Sequence, residues 1–188
     1  MPAPTSICVF VGSRPGASPR YRAAVEELGR ELGRRELRVV YGGGHAGLMG
    51  AFADAALHAG AEVIGVIPQW LVDREAAHTG LAKLEVVGSL HERKAAMAAR
   101  ADAFVGAPGG IGTLEELVEA LSWAQLGIHD KRCGLLNVAG YYDPLVDWLE
   151  HAVAEGFVPA ADRGLLAVER TPPALLDRLG ARQRSETS

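Results

Sequence analysis

The sequence predicts an α/β fold: a Rossmann-like, doubly wound parallel sheet sandwiched by helices, in a single domain. Three observations predict it. Short, almost wholly apolar runs alternate with helical stretches. Glycine-rich turns follow the first, second and fifth of those runs. No linker, repeat or shift in composition divides residues 1–182. Strands that are apolar on both faces belong to a parallel sheet covered on both sides, and alternation with helices builds such a sheet. A chain of 188 residues, 48% hydrophobic and 22% charged, is long enough to bury that core.

The first β-rich run is 7–11, closed by Gly12-Ser13-Arg14-Pro15-Gly16. From Pro19 to Arg34, Ala24, Leu28 and Leu32 recur every four residues and mark the apolar stripe of a helix. Residues 38–41 form a second strand, and Gly42-Gly43-Gly44 turns into a helix over 48–59. The third strand, 62–67, ends at Pro68, because proline cannot continue a central strand. Residues 84–87 are a fourth. Ser89 then reads as an N-cap, with Glu92 completing a capping box for a helix to about Arg100. The fifth strand, 103–105, leads through Pro108-Gly109-Gly110 into a helix over 113–125. The sixth is 133–138, and Asp143-Pro144 opens a helix to Ala154. After Thr171 come a short helix and a polar tail, 183–188, expected to fray.

Composition excludes some functions. A net charge of −4 without a basic face gives no general attraction to phosphate polymers, so no polynucleotide partner is expected. Arginines do crowd between Arg14 and Arg38, where they read as a solvated helix face. Cys8 and Cys133 each lie in an apolar run, which suits buried thiols in a reducing compartment rather than a disulfide or a metal site. No charged leader opens the sequence, and no apolar run approaches the roughly 18 residues of a membrane span. The expectation is a cytoplasmic protein with no membrane partner.

In a doubly wound sheet the ligand sits beyond the carboxyl ends of the strands, where these glycine turns lie. The richest runs from Pro108 to Glu116. Gly109, Gly110 and Gly112 let the backbone approach an anion, which the N–H groups and dipole of the following helix would bind. Thr113 is expected to cap that helix and offer a hydroxyl, with Glu115 and Glu116 just inside. A P-loop would need a lysine here and has none, so a monophosphate suits the turn better than a triphosphate.

Gly42-Gly43-Gly44-His45-Ala46-Gly47 contains a Gly-x-Gly-x-x-Gly string, but it follows the second strand. The nearby acid, Glu62, also precedes its strand instead of ending it, which disfavours a dinucleotide cofactor. Gly42, Gly43 and Gly44 remain candidate ligand contacts, with His45 a turn residue. Gly12-Ser13-Arg14, after the first strand, forms a third candidate, with Gly12 and Ser13 as its expected contacts. Arg93 and Lys94, near a helix start, oppose its dipole; they read as an anion site or as a solvated pair.

Together these stretches resemble the Lonely Guy (LOG) phosphoribohydrolase family, long labelled "lysine decarboxylase-like". The resemblance runs from about Ile7 to Val158. Its most specific element is Pro-Gly-Gly-x-Gly-Thr-x-x-Glu, complete at Pro108–Glu116. Further blocks are Tyr41-Gly42-Gly43-Gly44 with Gly47-Leu48-Met49-Gly50, His91-Glu92-Arg93-Lys94, and Gly134-Leu135-Leu136-Asn137 with Gly140-Tyr141-Tyr142-Asp143. The chain departs from the family at Leu90, where methionine is usual, and at His45, where serine is common.

The resemblance implies hydrolysis of the N-glycosidic bond of nucleoside 5′-monophosphates, cytokinin ribosides and AMP among them, releasing base and ribose 5-phosphate. It implies Arg93 and Glu116 as the essential pair, with Lys94, Met97 and Glu115 joining the glycines, Pro108 and Thr113 around the substrate. It implies no metal and no cofactor, and a homodimer whose partner lines the pocket. The apolar helix faces around 90–97 and 114–123 are the expected contact. The chemistry suits the residue types. A carboxylate can stabilise an oxocarbenium-like sugar or activate water, and an arginine can hold phosphate, ribose or the departing base.

The older label would need a Schiff-base lysine, and only Lys83, Lys94 and Lys131 exist. Two other readings stay open at this point: a nucleotide or cofactor carrier without hydrolysis, and a nicotinamide-dependent oxidoreductase.

Overall fold

A computed structural model describes residues 3–72 and 77–181 of the protein. The expected tail lies outside the described residues. Seven strands form one parallel sheet: β1 (Ser6–Phe10), β2 (Arg38–Tyr41), β3 (Val63–Pro68), β4 (Lys83–Val87), β5 (Ala103–Gly106), β6 (Arg132–Leu136) and β7 (Leu166–Glu169). The order is β4-β3-β2-β1-β5-β6-β7. The chain walks outward from β1 to β4, then restarts at β5 on the other side of β1. This reversal places the topological switch between β1 and β5, and a crevice opens beyond their carboxyl ends.

Six helices cover the sheet: α1 (Pro19–Arg34), α2 (Gly47–His58), α3 (Leu90–Ala99), α4 (Ile111–Gln125), α5 (Asp143–Ala154) and α6 (Pro172–Arg178). Alternate strand residues feed two cores. Ile7, Val9, Val39 and Tyr41 pack with Leu28, Phe52 and Leu175 beneath α1, α2 and α6. Cys8, Phe10 and Val40 pack with Met97, Leu117 and Leu149 beneath α3, α4 and α5. The doubly wound sandwich is therefore the observed architecture.

The differences from expectation are local. A seventh strand, Leu166–Glu169, lies where the sequence reading assigns no element; it is a half-buried edge strand beside β6. Pro68 is the last residue of β3, paired with Val87, where a missing N–H costs no further ladder bond. α4 begins at Ile111, two residues before Thr113. On α1 the arginines at 20, 22, 30 and 34 are exposed as expected. Arg35, just past its end, is held by Asp177 (2.8 Å) and the Ala181 carbonyl (2.6 Å).

α1 and α2 approach closely because α1 carries glycines on its inner face. A Cβ on Gly29 would lie 2.6 Å from the Phe52 carbonyl oxygen and 2.8 Å from the Ala56 nitrogen, both backbone atoms that cannot step aside. Gly29→Ala should therefore cost about 1–3 kcal/mol, the usual penalty for overpacking. Thermal melting should register a drop of several degrees. Gly164→Ala, whose Cβ would meet nothing within 4 Å, should melt close to wild type.

Candidate active site

The crevice at the switch point is built by two adjacent turns. Gly12, after β1, donates its N–H to the Pro108 carbonyl after β5 (3.1 Å) and accepts from the Met49 N–H at the start of α2 (3.1 Å). A Cβ on Gly12 would stand 2.9 Å from Gly109 Cα, so glycine is what lets the turns meet. The cavity above them has a volume of about 580 Å³. One wall is Gly12, Ser13 and Arg14. The facing wall is Pro108, Gly109, Gly110, Gly112, Thr113 and Glu116 with the first turn of α4. Arg93, Leu48, Met49, Tyr21 and Tyr141 close it.

Arg93 sits four residues past the N-cap Ser89, whose hydroxyl accepts from the Glu92 N–H (3.1 Å). Glu92 reaches one residue further back than a capping box requires, accepting from the Gly88 N–H at 2.8 Å. The Arg93 side chain is buried, 7% exposed. Its Nε donates to the Val66 carbonyl (3.1 Å) and its Nη2 to the Gly42 carbonyl (2.9 Å). A Cβ on Gly42 would overlap Nη2.

Glu116 shares that cavity from the second turn of α4. Cys8, at 0% exposed, lies beneath both groups. Burial and the charge of Glu116 push its thiol well up, with Arg93 acting the other way. Burial raises the Cys133 thiol to about 12.

The remaining expected contacts take other positions. Met97 is 1% exposed and packs in the core under α3 and α4. Lys94 turns from the cavity to Glu115 and to Glu119 (2.9 Å). Partial burial lowers its pKa, but these hydrogen bonds outweigh that and leave it raised. Glu115 is thereby engaged on the outer side of α4. Gly42 backs Arg93. Gly43 (φ 76) and Gly44 turn toward the following segment, where Gly43 O accepts from the His78 N–H (2.9 Å) and Gly44 bridges Ala77. Thr113 does not cap α4. The N-cap is Gly110, without a side-chain bond, and Thr113 is 5% exposed under Gly109, whose Cβ would overlap its hydroxyl.

Arg14, Tyr21, Leu48, Met49 and Tyr141 line the cavity without having been singled out as contacts. Leu48, Met49 and Tyr141 lie within the stretches that resemble the family, and Arg14 belongs to the third candidate turn as well as to the basic run.

His45, Asp54 and His78 lie close enough to hold a metal ion. However, His78 Nδ1 accepts from the Gly80 N–H (3.0 Å), which puts its proton on Nε2, and that nitrogen meets Asp54 Oδ1 at 3.0 Å. The cluster is thus a hydrogen-bonded Asp–His pair with His45 stacked edge-on at 4.7 Å.

A family model described as "Possible lysine decarboxylase" matches residues 49–179. The chain is 51% identical to the probable cytokinin riboside 5′-monophosphate phosphoribohydrolase LOGL9 of Oryza sativa subsp. japonica, over 92% of this chain and 76% of the relative. It is 49% identical to the cytokinin riboside 5′-monophosphate phosphoribohydrolase of Rhodococcoides fascians, over 89% of this chain and 85% of that protein. The chain belongs to the LOG phosphoribohydrolase family.

The molybdenum cofactor carrier protein of Chlamydomonas reinhardtii has the same fold, with a TM-score of 0.69 at 21% identity over 94% of this chain and 98% of that one. The family model's description does not fit the cavity, because a pyridoxal cofactor needs a lysine to hold it. Lys94 is paired as above, Lys131 donates to the Ala98 carbonyl (2.6 Å), and Lys83 lies beside Glu85 (3.8 Å) at the outer strand. None lines the crevice.

The raised thiols give a direct check. Ellman's reagent at pH 8 should label neither cysteine in the native protein and both after denaturation, since only the thiolate reacts. Rapid labelling of the native protein would contradict the burial of Cys8 and Cys133.

Proposed function

We propose that this LOG-family chain hydrolyses the N-glycosidic bond of nucleoside 5′-monophosphates, cytokinin ribosides and AMP among them, yielding free base and ribose 5-phosphate. The observation that carries the reading is one cavity bearing a buried arginine, a carboxylate and an open helix N-terminus on facing walls. The N–H groups of the first helical turn have no partner within the helix and suit an anion. They receive the 5′-phosphate, and the exposed Arg14 at the rim adds a second cation.

Glu116 then faces the ribose and stabilises the oxocarbenium-like carbon or activates the attacking water. Arg93 stays charged, and its fixed guanidinium supports the phosphate, the ribose or the departing base. Gly12 and Ser13 close on the substrate from the opposite wall. The working form is a homodimer in the cytoplasm, with no polynucleotide or membrane partner. The exposed apolar side chains Leu90, Ile111 and Val118 on α3 and α4 supply a surface for the second copy. Among the described residues no helix is long and apolar enough to cross a membrane.

Glu116→Gln should lower kcat by at least ~100-fold while AMP still binds, the usual loss on removing an acid–base or electrostatic group. A kcat within about fivefold of wild type would sink the role given to Glu116. Glu115→Gln should do less, because that carboxylate faces Lys94.

The phosphate requirement is tested with adenosine, AMP and ATP side by side, scoring free adenine. Two charge-assisted hydrogen bonds at about 1.5–3 kcal/mol each make AMP roughly 10²–10⁴-fold better than adenosine in kcat/KM. Adenosine cleaved within tenfold of AMP would leave the turn without its function. ATP cleaved as well as AMP would contradict a site built for one phosphate.

A further inference from the structure

The Gly140-Tyr141-Tyr142-Asp143 block has no part in the reaction as proposed, yet both tyrosine hydroxyls end on the anion-binding turn. Tyr142 Oη donates to the Ala107 carbonyl at 2.9 Å, and Tyr141 Oη donates to the Gly109 carbonyl at 2.6 Å. Between them, the Pro108 carbonyl accepts from Gly12 N–H at 3.1 Å. Three consecutive carbonyls are thus each held by a donor from elsewhere in the chain.

In a planar trans peptide the C=O and N–H point in opposite directions. Holding the Gly109 carbonyl through Tyr141 therefore fixes the direction of the Gly110 N–H. Gly12 holds the Pro108 carbonyl, whereas the Ala107 carbonyl held by Tyr142 belongs to a peptide whose nitrogen, that of Pro108, has no N–H. Without such a hold, two successive glycines would leave those peptides free to rotate.

The tyrosines are themselves fixed. Asn137, 3% exposed, accepts from the Tyr142 N–H through Oδ1 (2.8 Å) and donates through Nδ2 to Asp143 Oδ1 (2.6 Å). Just before them, Ala139 (φ 52) and Gly140 (φ 76) are both left-handed, a conformation unfavourable for an L-residue such as alanine. That winding lets two adjacent side chains reach the same turn. Burial, and then the neighbouring Tyr141, push the Tyr142 hydroxyl well above its ordinary value, with the Gly109 backbone acting the other way. The hydroxyl stays protonated and remains a donor.

We infer that Tyr141, through the Gly109 carbonyl, is a positioning residue that aims the Gly110 N–H at the substrate's 5′-phosphate, with Tyr142 anchoring the entry of the turn at Ala107. The inference rests on the nucleotide reading above. A merely structural role would weaken every ligand of the cavity alike, whereas positioning of the turn acts on phosphorylated ligands alone.

The experiment measures inhibition of AMP hydrolysis by ribose 5-phosphate and by adenosine in wild type, Tyr141→Phe and Tyr142→Phe, with thermal melting alongside. Tyr141 is half-exposed, so its variant should melt near wild type. Its Ki for ribose 5-phosphate should rise about tenfold, the effect of one misdirected hydrogen bond, while the Ki for adenosine holds within about twofold. KM for AMP should rise with ribose 5-phosphate, and kcat should change less. If Tyr142→Phe fails to fold because Ala107 loses its donor, Tyr141→Phe decides alone. Equal shifts for both inhibitors, or none for either, would overturn the inference and leave the nucleotide reading standing. Ribose 5-phosphate that fails to inhibit even the wild type would overturn both.

Discussion

A guanidinium cannot be buried unless its donors are taken up, and much of the site follows from how Arg93 meets that condition. Removing a charge from water costs several kcal/mol unless hydrogen bonds replace the lost solvent. Arg93 finds them at the Val66 carbonyl within β3 and at the Gly42 carbonyl just after β2. Residue 42 must then lack a side chain. α3 must also run where its fourth residue reaches the carboxyl edge of the sheet. That helix buries only Arg93 and Met97, so its seat depends on the cation as much as on apolar packing. The same bonds hold the charge still at the cavity wall.

The cavity differs from the commoner arrangement for cleaving sugar bonds, in which two carboxylates flank the scissile bond. Among the described residues its walls carry one carboxylate, Glu116, with two guanidinium groups, Arg14 and Arg93, and a helix N-terminus. Positive potential therefore dominates, and Glu116 is the single acid within it. Such a cavity suits a ligand that carries its own anion, whose binding energy can position the rest of that molecule. Lys94 does not add to that potential, because Glu115 and Glu119 take its charge on the outer side of α4.

The architecture was legible where one local signal dominates. Apolar runs followed by glycine turns marked β1, β2 and β5, and the ligand crevice followed from them. Serine with glutamate three residues later marked the start of α3 at Ser89. Legibility failed where tertiary context overrides the local signal. Leu166–Glu169 is an edge strand with a half-buried pattern, joined to β6 by pairing that no spacing reveals. Thr113 has the right chemistry for a cap, but Gly110 opens the helix first and leaves the threonine beneath Gly109. Arg93 and Lys94 looked alike in sequence. One is buried on backbone carbonyls and the other paired with carboxylates across to α4, a split that depends on which way each faces around one helix. Tyr21 and Tyr141 meet edge-on at 5.4 Å from opposite parts of the chain, so neither could be placed on the wall by local pattern.

The strand order also shapes how the molecule is made. β1 sits at the centre and its second neighbour is β5, so the open edge of Ser6–Phe10 waits for residues half the chain away. An emerging polypeptide that has formed only β1 to β4 exposes an apolar, unpaired strand edge, the kind that draws in other chains. Long-range parallel pairing is slow to form because loop closure must precede it. The bond from Gly12 to Pro108 can close only after that pairing, which makes the crevice among the last features to assemble. Truncations ending before β5 should therefore collect in inclusion bodies, whereas losses beyond α6 leave the central pairing intact.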